Sequence, residues 1–217
     1  MNQIHATVKF ATIIAALLGA QLVCASPTEI VPLPAPTTAV ANQSRTTLKH
    51  RKRPLLYSAI PATVPNIIAL NQQLPAGVKN ASVRGRNAPI SSIESNVYRV
   101  EGDLWRVKME DNDDEYHLEI SARGASRTAN RIVAEIPPDP AYAGARRQLL
   151  SMLLGKYIFK PKISRDFTHP IPIRVTGYAF FDGHHWSSKS VRGNKHGTAF
   201  TATLWEIHPV WKVESAH

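Results

Sequence analysis

The sequence predicts a mainly β fold, a five-stranded barrel with one helix in the order β-β-β-α-β-β, preceded by a disordered linker. Three observations predict this fold. Five runs between residues 97 and 213 carry the apolar patterns of strands. One run between the third and the fourth has apolar residues at helical spacing. The segment before them holds nine of the sixteen prolines of the chain and keeps no amphipathic period.

The five strands are predicted at residues 97–109, 115–121, 131–136, 171–182 and 200–213. In the first strand the apolar phase changes after Gly102, which indicates a β-bulge that bends the strand. In the second strand Glu115, His117 and Glu119 alternate with apolar residues, so they are predicted to face water. The third strand stops at Pro137, which cannot donate to a sheet ladder.

The helix is predicted at residues 141–154. Ala145, Leu149 and Leu153 lie at helical spacing there, and Gly155 is suited to a C-terminal cap. Three meandering strands, a helix that plugs one end and two closing strands form the oligonucleotide/oligosaccharide-binding (OB) barrel. We therefore expect an OB-like barrel over residues 93–217. A bent five-stranded sheet that docks the helix without closing is the alternative.

Residues 1–25 have the pattern of a secretory signal peptide. Lys9 precedes an apolar run of about 14 residues, and small residues lead up to Ala25. The run is shorter than the ~20 residues that span a bilayer, and a retained membrane anchor is the alternative. We expect cleavage after Ala25 and export to the periplasm or the medium. Cleavage would remove Cys24, the only cysteine, together with the apolar run, so the mature chain is expected to contain neither a cysteine nor a transmembrane helix.

Residues 26–92 are predicted to be a basic disordered linker. The prolines there restrict the backbone, and most of the net charge of +10 lies in this segment, whereas residues 93–217 are nearly neutral. The basic cluster at residues 49–53 could make weak contacts with a polyanion or with an anionic membrane surface. A solvated linker without a partner is the alternative.

A set of short motifs resembles an uncharacterised family of exported bacterial proteins. The motifs are Gly177-Tyr-Ala-Phe-Phe-Asp182, His184 with His185, His196-Gly197 and Glu206-Ile-His-Pro-Val210, together with Asp113-Asp114-Glu115 ahead of Tyr116-His117-Leu118. The resemblance covers roughly residues 97–214 and implies a common barrel, but it brings no assigned activity. The loop before the last strand is longer and more basic here than is usual in that family.

OB barrels usually bind ligands at strands two and three and at the loops after strands one and four. Here the first of these loops, residues 110–115, has five carboxylates in six positions, and the second, residues 183–199, is basic and rich in histidine. We expect both loops to share one mouth of the barrel. A saccharide, a peptide or a single-stranded nucleic acid would bind there by stacking, and a nucleic acid also by phosphate contacts. The candidate ligand-binding residues are Tyr178, Trp186, Lys189, Arg192 and Lys195.

Two kinds of metal site are also predicted. Asp113 and Asp114 lie in the acidic loop and suit a hard cation such as Ca²⁺. Glu206 and His208 are two residues apart on a strand and project to one face, where His184 could complete a Zn²⁺ site. A structural role for Glu206 and His208, in which they satisfy buried backbone groups or each other, is the alternative.

The sequence thus favours an exported OB-like binding or accessory protein of unknown ligand. The alternative is a metal-dependent hydrolase, similar to a nuclease, in which a cation in the acidic turn polarises a phosphate. The sequence has no Ser–His–Asp spacing, glycine-rich phosphate loop or reactive cysteine. It therefore leaves open whether the protein is an enzyme.

Overall fold

The computed structural model of the chain describes residues 45–74, 90–110, 113–153, 163–185 and 197–217. The strands are β1 (Ile60–Thr63), β2 (Val97–Met109), β3 (Tyr116–Ser121), β4 (Arg131–Ile136), β5 (Ser164–Phe181) and β6 (Thr201–Ser215). The α-helices are α1 (Arg45–Lys49), α2 (Val64–Ala69), α3 (Ser91–Glu94) and α4 (Ala143–Met152). Of the helices in these ranges, none has the length and hydropathy needed to cross a membrane.

Strands β2 to β6 form a closed barrel. Neighbouring strands follow the order β2-β3-β4-β6-β5, and β5 pairs again with β2. β4 and β6 run parallel to each other, whereas the other neighbouring pairs of the barrel are antiparallel. Helix α4 follows β4 and precedes β5. This is the arrangement of an OB-like barrel, and it confirms the fold class expected from the sequence.

The positions of most strands agree with the sequence pattern, but two details differ. β5 begins at Ser164 rather than at residue 171, because its first part pairs with the end of β2, where Asp166 lies opposite Arg106. The irregularity in β2 lies between Leu104 and Arg106, so the bulge predicted at Gly102 is displaced. Gly102 instead permits the close approach of β3, since a Cβ there would press against the Ser121 carbonyl oxygen.

Helices close both ends of the barrel. At the end where β2 turns into β3, Ala145 and Leu149 of α4 are buried in the core, as the helical spacing predicted. At the opposite end Val64 and Ile67 of α2 join the same core. The Thr203 hydroxyl of β6 donates a hydrogen bond to the side chain of Asn71, just after α2. The core is therefore completed by a segment that precedes the barrel strands in the chain.

Residues 45–74 fold against the barrel, contrary to the disorder expected for the linker. β1 pairs in parallel with the first half of β2, and Leu48 and Ile67 are fully buried. The prolines fit these short elements, because Pro61 lies in an edge strand and Pro65 in the first turn of α2, where no amide donor is needed. The predicted signal peptide and residues 26–44 and 75–89 lie outside the described residues.

The acidic loop and the histidine-bearing loop leave the barrel at opposite ends. The acidic loop precedes Tyr116, which pairs with Ile136 at the end of β4. The β5–β6 loop leads into Thr201, which pairs with Arg131 at the start of β4. Because β4 runs between these two residues, the prediction that both loops share one mouth of the barrel is wrong.

Candidate metal centre

A buried polar cluster lies on the outer face of the barrel. Glu135 of β4 and His208 of β6 alternate with core residues and therefore point outward. Glu115, which immediately precedes β3, reaches the same place. All three side chains belong to residues that are at most 3% exposed. They are buried because Lys49 of α1 and His50 after it lie over this face.

Glu115, Glu135 and His208 can each supply one ligand atom, and these atoms all lie within 4.8 Å of one another. The His208 imidazole lies between the two carboxylates. Its Nε2 is 3.3 Å from Glu115 Oε1, and its Nδ1 is 2.7 Å from Glu135 Oε2. Glu206 adds a third carboxylate 3.5 Å from His208 Nδ1. Mixed nitrogen and carboxylate donors of this kind are typical of transition-metal sites.

Several buried atoms of this cluster have no hydrogen-bond partner. They are both ring nitrogens of His208, Oε1 of Glu115 and Oε2 of Glu135. The ring nitrogens are close to the carboxylate oxygens, but these contacts do not have hydrogen-bond geometry. A buried polar atom without such a partner costs about 1–3 kcal/mol. The four atoms therefore form an ion-paired group whose remaining bonding capacity a bound cation would satisfy.

The neighbouring buried carboxylate, Glu119 of β3, is satisfied by protein donors. Its Oε1 accepts the backbone amide of Thr198 at 2.8 Å, and its Oε2 accepts the Thr198 hydroxyl at 2.5 Å. The same Oε2 accepts the Arg131 guanidinium at 3.0 Å. Glu119 thus has hydrogen-bond donors for both of its carboxylate oxygens. Glu115 Oε1 and Glu135 Oε2, by contrast, lack a donor with hydrogen-bond geometry.

His117 orients Glu135. Its Nδ1 lies 3.1 Å from Glu135 Oε1 in a hydrogen bond, which leaves Oε2 directed towards His208. Hydrogen bonds of this kind hold ligating carboxylates in position in metal sites. His117 is therefore suited to position the cluster rather than to bind the ion itself.

Burial and mutual charge set the protonation of the cluster. Burial alone would lower the pKa of His208, but the carboxylates, Glu115 foremost, hold this pKa well above 6.5. Burial would raise the pKa of Glu135, but His117 and His208 hold it well below 4.5. For Glu115 burial prevails, and its pKa is raised. The pKa shifts therefore stabilise an ionised Glu135 carboxylate next to a protonated His208 ring.

Lys49 supplies part of this positive charge. Its Nζ is 3.7 Å from Glu135 and 4.0 Å from Glu115, which is too far for hydrogen bonds. Burial would lower the pKa of Lys49, but the nearby carboxylates, Glu135 foremost, raise it above its usual value. Lys49 therefore balances negative charge without satisfying the ligand atoms.

The structure brings together two of the predicted metal ligands. Glu206 and His208 lie side by side, but the carboxylates that join His208 are Glu115 and Glu135. His184 belongs to a short 3-10 turn, Gly183–His185, that follows β5, and its side chain lies outside the described residues. The structure therefore groups His208 with Glu115, Glu135 and Glu206, and it leaves the predicted role of His184 untested.

Glu115 ends the acidic loop and belongs to the cluster, whereas Asp113 and Asp114 of the same loop do not. Asp113 and Asp114 are exposed, and within the described ranges neither belongs to a group that could hold a metal. Asp113 Oδ1 accepts the amide of Glu115, and the Arg146 guanidinium donates to the Asp114 carbonyl. The two aspartates therefore shape the turn before β3, and the described residues do not provide the predicted Ca²⁺ site.

Most of the predicted ligand-binding residues lie outside the described part of the chain. These are Trp186, Lys189, Arg192 and Lys195. Tyr178 is described, and its ring already contacts two side chains of the same chain. The Arg51 guanidinium lies 3.5 Å from the ring centroid, and Trp211 packs edge-on at 5.1 Å. Tyr178 therefore stacks with the chain's own arginine instead of presenting an open platform.

Sequence reasoning did not name Glu115 or Glu135 as members of a candidate metal centre. Glu115, His117 and Glu119 were expected to face water, but each is at most 3% exposed. The register places Glu135 opposite His117 and pairs Ala134 with Ile207, which brings Glu135 beside His208. The one signal in the sequence was the outward phase of Glu135 in a strand whose other phase is wholly apolar.

No protein-family model matches the chain, and no curated protein matches it. The family resemblance of the short motifs therefore stays a prediction. The function is inferred from the geometry of the buried cluster.

Proposed function

We propose that this protein is an exported OB-like binding protein whose outer face binds one divalent transition metal ion, for which Zn²⁺ is best suited. Export follows from the signal-peptide pattern of residues 1–25. One observation supports the proposed metal site. The buried His208 ring lies between two carboxylates, and one ligand atom from each of Glu115, Glu135 and His208 lies within 4.8 Å of the other two.

The donor set favours Zn²⁺ over Ca²⁺. Zn²⁺ binds imidazole nitrogen and carboxylate oxygen at about 2.0–2.2 Å, which places tetrahedral ligand atoms about 3.4 Å apart. The ligand atoms of Glu115, Glu135 and His208 lie within 4.8 Å of one another, so small side-chain movements suffice. Glu206 is close enough to be the fourth ligand. Ca²⁺ takes roughly six to eight oxygen ligands, more than this cluster offers.

The burial of the cluster favours binding over hydrolysis. Its three ligand residues are at most 3% exposed, and Lys49 and His50 lie over the face. A metal-dependent hydrolase needs an open coordination position that a substrate phosphate can reach. We therefore infer a metal ion that stabilises the fold or is carried by it, and we place the nuclease-like hydrolase second.

Titration of the metal-free protein with ZnCl₂ tests this proposal. We expect one Zn²⁺ per chain by calorimetry and elemental analysis. We also expect a higher melting temperature, because the site exists only in the folded chain. Glu135→Gln keeps the side-chain shape and removes an anionic ligand, so it should weaken binding by roughly 100-fold or more. His208→Gln should do the same.

The matched control is Glu214→Gln, since this glutamate pairs with Lys212 at the surface and lies outside the cluster. This variant should bind Zn²⁺ as the wild type does, and CaCl₂ should release no heat from either protein. The proposal is wrong if the wild-type protein does not bind Zn²⁺ at one ion per chain. It is also wrong if both Glu135→Gln and His208→Gln keep full Zn²⁺ affinity.

Lys49→Met should strengthen Zn²⁺ binding. The ammonium group is 3.7 Å and 4.0 Å from the carboxylates of two proposed ligands, so it repels a divalent ion placed between them. Methionine keeps the aliphatic packing and removes the charge, and we expect roughly tenfold higher affinity by calorimetry. Lys212→Met is the control, because Lys212 pairs with Glu214 at the exposed surface. Unchanged or weaker binding in Lys49→Met would show that Lys49 does not compete with the ion.

A further inference from the structure

A short basic finger projects from the barrel after α1. We define the finger as residues 52–56, with the sequence Lys-Arg-Pro-Leu-Leu. Leu55 is 100% exposed and Leu56 is 93% exposed. The next most exposed large hydrophobic residues of the described chain, Tyr57 and Ile163, are each 40% exposed. The two adjacent leucines therefore form the most exposed apolar surface among the large hydrophobic residues of the described chain.

Both flanks of the finger are fixed to the barrel. On one side Arg51 donates hydrogen bonds to the backbone carbonyls of Glu94 and Ala179 and stacks on Tyr178. On the other side Tyr57 packs edge-on against Trp211, with ring centroids 5.6 Å apart. Because these contacts hold the flanks, side-chain rotation alone cannot bring the leucines into the core.

The charge of the finger narrows the choice of partner. Lys52 and Arg53 are exposed and directly precede the leucines, and the finger contains no acidic residue. Basic side chains are attracted to anionic headgroups, while neighbouring apolar side chains insert at the headgroup boundary. The electrostatic attraction and the insertion of apolar side chains both contribute to binding at a membrane surface.

We propose that residues 52–56 bind the surface of an anionic phospholipid bilayer. Leu55 and Leu56 insert at the headgroup boundary, and Lys52 and Arg53 contact the lipid phosphates. Adjacent cations without a nearby acid in the finger favour this partner over a purely apolar protein surface. The inference goes beyond metal binding and rests on residues that are not part of the metal cluster.

Co-sedimentation of the full chain with vesicles tests the inference. We expect binding to vesicles rich in phosphatidylglycerol and little binding to pure phosphatidylcholine. The double variant of Leu55→Ser with Leu56→Ser should bind the anionic vesicles at least tenfold more weakly. Lys52→Gln with Arg53→Gln should also weaken binding and should remove most of its dependence on salt.

Ile163→Ser is the matched control, because Ile163 is a partly exposed hydrophobic residue outside the finger. It should bind vesicles as the wild type does, and circular dichroism should show that all variants fold. Equal binding to the two kinds of vesicle would overturn the inference, as would unchanged binding of the double leucine variant. A dimer in light scattering that is lost in the leucine variant, without vesicle binding, would assign the finger to a second copy of the chain.

Discussion

A fragment that begins at residue 93 is expected not to fold stably. Residues 45–74 bury five large aliphatic side chains, each at most 5% exposed: Leu48, Val64, Ile67, Leu70 and Leu74. Each contributes roughly 1.5–3 kcal/mol when buried. Their combined loss is of the same order as the ~5–15 kcal/mol that stabilises an ordinary domain. Removal of α2 also opens one end of the barrel to water.

A fragment that begins at residue 45 is the comparison, because it keeps α1, β1 and α2. Thermal melts by circular dichroism and amide dispersion in NMR spectra measure both fragments. We expect a cooperative transition from the longer fragment and none from the shorter one. A cooperative melt with dispersed amide signals from the shorter fragment would show that the barrel does not need residues 45–74.

Gly102→Ala is expected to lower the free energy of unfolding by about 3 kcal/mol. The new Cβ would lie 2.5 Å from Ile120 Cγ2 and in contact with the carbonyl oxygen of Ser121. That oxygen belongs to the backbone of β3, which pairs with β2 at this point. It cannot move aside without disturbing the closed barrel, so the clash is not relieved by a side-chain rotation.

Gly144→Ala is the matched control, and it should raise the free energy of unfolding instead of lowering it. A Cβ on Gly144 meets nothing within 4 Å, and the residue lies in the first turn of α4. Alanine there should stabilise the protein by about 0.5–1 kcal/mol, because it restricts the unfolded chain more than glycine does. Denaturant unfolding measures both variants. A loss smaller than about 1 kcal/mol in Gly102→Ala would show that β3 can adjust.

The barrel could be predicted from the sequence because its strands alternate clearly. β2 and β4 have the predicted ends, and α4 buries the residues that its spacing indicated. The contribution of residues 45–74 could not be predicted in this way, because β1 and α2 are only four and six residues long. Elements this short are too brief to show a periodic pattern of apolar residues. Their burial comes from contacts with strands that are distant in the sequence.

The candidate metal centre was predictable only in part. Glu206 and His208 share a face because they are two apart on one strand, and the structure keeps them together. Glu115 and Glu135 join them through the pairing of β3 with β4 and of β4 with β6. That pairing depends on the closure of the barrel, which local spacing does not encode. The covering of the outer face by Lys49 depends in turn on the path of the preceding segment.

The position of β6 has a consequence for biogenesis. Ribosomes make this strand after the other five, yet it lies between β4 and β5. Until it arrives, both neighbours expose unpaired amides and carbonyls to which strands of other chains can attach. Such late, long-range pairing makes folding slow. The barrel therefore cannot close before the final strand is available, and these two edges stay open to wrong pairing until then.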